Sequence, residues 1–195
     1  MKDLKKEIFI NAPVEKVFPF MDDLAKTGMH MSERSMMMMG SKLTIEHLPS
    51  PEKGVGAIFR WTGKVMGLPI DFTETVTLWK ENEEKVWETI GSPQMIILGW
   101  YQMRLTTEPS EKGTLVSLEI QYTSPKGFFY KLLSAVFARW YAGWCLGSML
   151  GDTKKPLNYE TCIYADRQSG EIYNKDKCKL KNPYFSAKTT RIWTV

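Results

Sequence analysis

Between Ser41 and Ser124 apolar and polar residues alternate with a period of two in six runs: SKLTIEHL, VGAIFRWTGKVMG, IDFTETVTLWK, KVWETIG, MIILGWYQMRLTT and TLVSLEIQYTS. Alternation of this kind sends successive side chains to opposite faces of a strand. The breaks SPEKG, GLP, ENEEK, SP and EPSEKG are turn-like, so the strands are expected to pair antiparallel as a meander. In IDFTETVTL, parity puts Phe72, Glu74, Val76 and Leu78 on one face and Thr73, Thr75 and Thr77 on the other. The same rule turns Tyr101, Met103 and Leu105 inward, and Val116, Leu118, Ile120 and Tyr122 with them.

The flanks follow a different period. Glu7 to Asn11 alternates like a strand and stops at Ala12-Pro13, a proline suited to a first helical turn. Val14, Val17, Phe18 and Met21 then share one helical face, and Pro19 predicts a break into two short helices. After the last strand, PKGFFYKLLSAVFARWYAGWCLGSMLG predicts one long helix over Pro125 to Gly151, apolar on nearly every side and so expected to be buried on more than one. A membrane span is the rival reading of Phe128 to Leu150; against it, Arg139 near its middle would cost about 3 kcal/mol at a bilayer centre. Beyond Pro156, CIYADRQSGEIYN predicts a hairpin turning at Asp166 to Gly170, and TTRIWTV a last strand. That material is too poor in apolar residues to fold alone, so the expected division is a main domain over 1–153 and a C-terminal extension over 154–195, docked or mobile.

Charge sharpens this division. Nine of the 26 Lys/Arg but only four of the 22 Asp/Glu fall after Thr153, leaving a near-neutral body and a basic tail. A near-neutral body lacks the concentrated basic face that phosphate binding needs, so no nucleic-acid partner is expected. Cys145, Cys162 and Cys178 are too few and too widely spaced for a disulfide framework or a CxxC metal site. With no apolar stretch of signal-peptide length near Met1, a cytoplasmic setting is expected.

Candidate chemistry is sparse. Glu74 stands out because parity puts its carboxylate among Phe72, Val76 and Leu78, where it must be paired, hydrogen-bonded or protonated. It is a candidate acid or base, or an anchor for a polar ligand group; the structural alternatives are pairing with Arg60 or Arg139, or a bulge that turns it to solvent. His30, between Met29 and Met31, is a second candidate proton donor or acceptor. His47 has no evident partner, and two histidines without metal-ligand spacing predict no metal site. Gly143-Trp144-Cys145-Leu146-Gly147 imitates a nucleophile elbow but lies inside the long helix, so Cys145 is expected to be a packed thiol. Six of the twelve methionines crowd into Met29 to Met39; four in a row cannot all face one core, so some are expected at a surface, as a flexible apolar gate or as plain loop.

The order of strand, paired short helices, antiparallel strands and long C-terminal helix resembles the START-like or SRPBCC superfamily, which includes polyketide cyclases, lipid-transfer domains and pollen allergens. The stretches that carry the resemblance are INAPVEKVFPFMDDL, GVGAIFRWTGKVMG with FTETV, and GTLVSLEIQYTSP leading into the helix. It implies an α+β helix-grip fold, a curved sheet wrapped around the terminal helix, with a cavity between them for an apolar or amphipathic ligand. By the same resemblance the methionine segment lies at the cavity mouth, with Met31, Met37 and Met38 as gate residues. Phe72 and Met103 would line the cavity, Trp61, Trp140 and Trp144 would wall it or simply pack the helix on the sheet, with packing the favoured role, while Glu74, Tyr101 and Tyr122 set orientation. The expected function is binding of a small hydrophobic ligand such as a lipid, isoprenoid or polyketide, without cofactor. The alternatives are a cyclase or dehydratase using the same cavity, and an adaptor touching a membrane surface; oligomeric state is left open.

Overall fold

The structure, a computed structural model, describes residues 1–28, 43–65 and 67–169, with side chains as far as Leu157. Strand β1 (Lys2–Ile10) is followed by Pro13, whose extended backbone opens α1 (Val14–Asp22); its carbonyl accepts from the Lys16 and Val17 N–H groups at 3.0 and 3.2 Å. Pro19 does not break α1. It lies on the exposed side of the helix, so the hydrogen bond it removes is lost where water can replace it. The break falls instead at Asp23, which is extended and caps α2 (Leu24–Thr27) by accepting from Ala25 N–H at 3.0 Å and Lys26 N–H at 3.3 Å.

The six expected strands are present: β2 (Leu43–His47), β3 (Ile58–Val65), β4 (Leu68–Lys80), β5 (Glu84–Gln94), β6 (Tyr101–Ser110) and β7 (Gly113–Tyr122). With β1 they form one antiparallel sheet in the order β1-β7-β6-β5-β4-β3-β2, so the first strand closes against the last and β2 is the far edge. Gly113 permits that closure. A side chain there would run into the Ile10 carbonyl of β1.

Parity holds along most of the sheet. Phe72, Glu74 and Val76 are buried, as are Tyr101, Met103 and Leu105 on β6 and Val116, Leu118, Ile120 and Tyr122 on β7. It fails at Leu78. The register with β5 shifts between Val76 and Leu78, a bulge that takes up Thr77 and brings Trp79, not Leu78, onto the core. The run beginning MIIL is also shorter than expected, since β6 starts at Tyr101.

Helix α3 (Phe128–Ser169) follows the sheet. Ser134, Ala138, Ala142, Leu146 and Met149 recur at helical spacing and are buried, with Gly143 and Gly147 close against Leu4 and Lys6 of β1. Burial on more than one side is not observed. Phe129 is 68% exposed, Val136 65% and Trp140 58%, so the opposite face is open. Nor does the helix stop at Gly151, which lacks the positive φ of a terminating cap. It runs to Ser169, so Cys162–Ser169 are helical where a hairpin arm was expected; the second arm and the final TTRIWTV lie outside the described residues. The chain divides into two compact units, Met1–Asn158 and Tyr159–Val195. Among the described residues no helix is long and apolar enough to cross a membrane.

Candidate functional site

Four neighbouring strands bring their inward side chains together around Glu74. Trp61 on β3 stands opposite Phe72 on β4, ring centroids 6.2 Å apart and nearly parallel, and Phe72 meets the Tyr101 ring edge-on at 6.1 Å. Glu74 follows Phe72 by one strand repeat and is 3% exposed, the only acid in the interior among the described residues. Among the described residues it pairs with no arginine. Arg60 instead forks onto Asp71 at 2.6 and 3.0 Å on the outer face.

The Glu74 carboxyl is held by donors from both sides. Trp61 Nε1–H donates to Oε2 at 2.6 Å, and the Tyr101 hydroxyl donates to Oε1. Burial lifts its pKa above the ordinary 4.5, opposed by the hydrogen bonds from Tyr101, Trp61 and Trp87 and by the charge of Lys85. Burial together with the Glu74 charge drives the Tyr101 hydroxyl well above its usual value of 10.0. Proton affinity is therefore concentrated at one point of an apolar surface.

The neighbours that fix this pair were only partly legible in sequence. Thr89 accepts from the Tyr101 N–H at 3.0 Å, and Lys85 reaches Asp22 Oδ1 at 2.8 Å and its carbonyl at 2.6 Å, tying β5 to the end of α1. Lys85, Trp87 and Thr89 are all inward, a parity that KVWETIG carries. Gly28, at the end of α2, lies against the Trp61 indole, where any Cβ would collide with the ring. From α3, Tyr141 and Cys145 face the Tyr101 side of the cluster and bond to each other. Burial pushes the Cys145 thiol up to about 12, which makes it a packed thiol rather than a nucleophile.

Other expected residues are placed differently. Met103 and Tyr122 are buried on the inner face, and Trp144 is half-buried beside Tyr141 at 6.0 Å. Trp140 is corrected. One residue past Arg139 on the helix, it projects away from the buried Ala138 and Ala142 and walls no interior. His47 does have partners, a 3.1 Å contact to the Pro51 carbonyl and the edge of Phe59, which lock a surface turn. His30, Met31, Met37 and Met38 lie outside the described residues. Among the described residues no three His, Cys, Asp or Glu side chains gather so as to hold a metal ion.

A seven-stranded antiparallel sheet with paired short helices after its first strand and a long C-terminal helix is the helix-grip fold of START-like (SRPBCC) proteins. Solved structures agree. A Thermus thermophilus protein superposes with a TM-score of 0.61 at 18% identity, covering 80% of this chain and 97% of its own. The Zhui aromatase/cyclase of a Streptomyces species gives 0.55 at 13% identity over 79% and 94%. A norcoclaurine synthase point mutant from Thalictrum, in complex with a transition-state analogue, gives 0.56 at 17% over 82% and 96%. No protein-family model matches the sequence, and neither does any curated protein.

Proposed function

We propose that the protein binds a small hydrophobic or amphipathic ligand, of lipid, isoprenoid or polyketide type, between the inner face of the sheet and α3. The observation that carries this reading is the Glu74 carboxyl, buried among Trp61, Phe72 and Tyr101 and, among the described residues, without an ion-pair partner of its own. Filling an interior with apolar side chains is the simpler way to stabilise a fold, since a desolvated carboxyl costs several kcal/mol before its hydrogen bonds offset it. A polar anchor in a greasy wall suits a ligand with one polar end. Apolar burial would supply most of the affinity, at about 25 cal/mol per Å² of surface removed from water. Similarity to a cyclase and a synthase supports the same class of ligand. Native mass spectrometry of the purified chain is expected to show a bound hydrophobic species that Glu74→Gln and Tyr101→Phe release. A chain that takes up no such species even when lipids, isoprenoids and aromatic polyketides are offered would refute the reading.

A second reading rests on the raised proton affinity of the Glu74 carboxyl. In a cyclase or dehydratase the protonated carboxyl would give its proton to a departing hydroxyl, with Tyr101 holding it in place. Turnover of a model β-hydroxy ketone, lost in Glu74→Gln while ligand binding survives, would separate catalysis from binding.

A further inference from the structure

The outward face of the first turns of α3 is largely apolar. Phe128, Phe129, Leu132, Val136 and Trp140 are 58 to 87% exposed, and Phe137 flanks them at 44%. No acidic residue occurs anywhere between Glu119 and Asp152, whereas Lys126, Lys131 and Arg139 do. Lys131 and Arg139 are both exposed on this helix. Residues 170–195 add six Lys/Arg against two acids to the same chain. A stripe of this size in contact with water is costly, and it calls for a partner that is apolar at depth and negative at its surface.

We propose that this half of α3 is a docking face for an anionic lipid surface, lying in the interface with Phe129, Leu132, Val136 and Trp140 inserted among the acyl chains. Lys131 and Arg139 then meet the headgroups, and the net charge of +4 on the chain adds long-range attraction to an anionic surface, the second signal that durable membrane attachment needs. A second copy of the chain is a poorer occupant. Two such faces brought together would juxtapose their Lys131 and Arg139 side chains with no acid on the face to pair them. The helix is too polar in total to cross, which fits lying on a bilayer and not spanning it. This docking does not depend on what the interior binds, because none of these side chains reaches the Glu74 cluster.

The test is co-sedimentation of the full chain with vesicles of phosphatidylcholine alone and of phosphatidylcholine with phosphatidylserine. Binding is expected to the anionic vesicles, weaker to the neutral ones, and to fall as salt rises. The double substitution Phe129→Glu with Val136→Glu is expected to weaken it at least about tenfold, the factor that burial of one large apolar side chain supplies, with the melting temperature unchanged. Equal binding to both vesicle types, or binding that the double variant retains, overturns the proposal. So does a chain that ignores both vesicles while the double variant disperses a dimer in sedimentation equilibrium, since a second copy would then be the occupant. A fall in melting temperature in the double variant, without vesicle binding by the parent, would make the face a seat for another segment of the chain itself.

Discussion

Glu74 is where burial and charge conflict most directly, and the conflict is measurable. Its folded-state pKa lies above the ordinary 4.5, so between those two values the folded chain binds more protons than the unfolded one. The stability this contributes is complete below pH 4.5 and is lost as pH rises through the folded value. Glu74→Gln cannot titrate. The difference in unfolding free energy between the two proteins should therefore move in favour of the glutamine form as pH rises, by up to about 1.4 kcal/mol per pH unit across that window. Denaturant titrations at several pH values give the slope, and a flat difference would mean that the carboxyl is ionised at little cost. Gly28 tests the geometry of the same site from the other side. Gly28→Ala forces a methyl group into the Trp61 indole, so the ring must swing and its 2.6 Å hydrogen bond to Glu74 must lengthen. The expected outcome is a loss of about 1–3 kcal/mol together with a changed tryptophan emission, whereas an unaltered spectrum would show that the ring has room to spare.

At the scale of elements, the tie between β5 and α1 depends on one buried cation. Lys85 Nζ contacts Asp22 twice, at the carboxylate and at the last carbonyl of α1, and Trp79 Nε1–H donates to the same carboxylate at 3.2 Å. Lys85→Met leaves Asp22 in place without its main partner, and calorimetry is expected to find a loss of about 3–5 kcal/mol. The double variant that also replaces Asp22 with Leu should recover part of it; equal losses in both would assign the cost to packing alone. The strands themselves were legible because alternation survives wherever one face is buried, as TLVSLEIQYTS shows over the whole of β7. Glu74 and Tyr101 were legible for the same reason. What parity cannot foresee is an inserted residue: the bulge at Thr77 exchanged Leu78 for Trp79. Helical periodicity was present around Ala138, Tyr141, Ala142 and Leu146 but was masked by a second, equally apolar face, so Trp140 was expected inward although Ser134, Ala138, Ala142, Leu146 and Met149 mark the buried side. Pro19 misled because the hydrogen bond it removes lies on the exposed side of α1, where water can take its place. Gly28 and Lys85 act through contacts 33 and 63 residues away in sequence, which no local pattern records.

For the molecule as a whole, the core of the described residues lies within the first compact unit. Its buried apolar cluster runs from Ile10 on β1 to Leu157 on α3, and the first compact unit closes at Asn158 with every strand of the sheet inside it. Hydrophobic burial is the main source of folding free energy, so a chain cut after Asn158 should keep nearly all of it. Its melting temperature is expected to stay within about 4 °C of the parent, the shift that about 1 kcal/mol produces in a protein of this size. The same fragment retains Phe129, Val136 and Trp140 but loses the seven Lys/Arg of residues 159–195, against four Asp/Glu. Attraction to anionic vesicles should then weaken while the smaller affinity for neutral ones persists, because only the apolar contribution is independent of charge. Salt titrations of both proteins against the two vesicle types separate these contributions. A fragment that unfolds without cooperativity would place part of the core beyond Asn158, and one whose salt dependence matches the parent would confine the electrostatic contact to Lys126, Lys131 and Arg139.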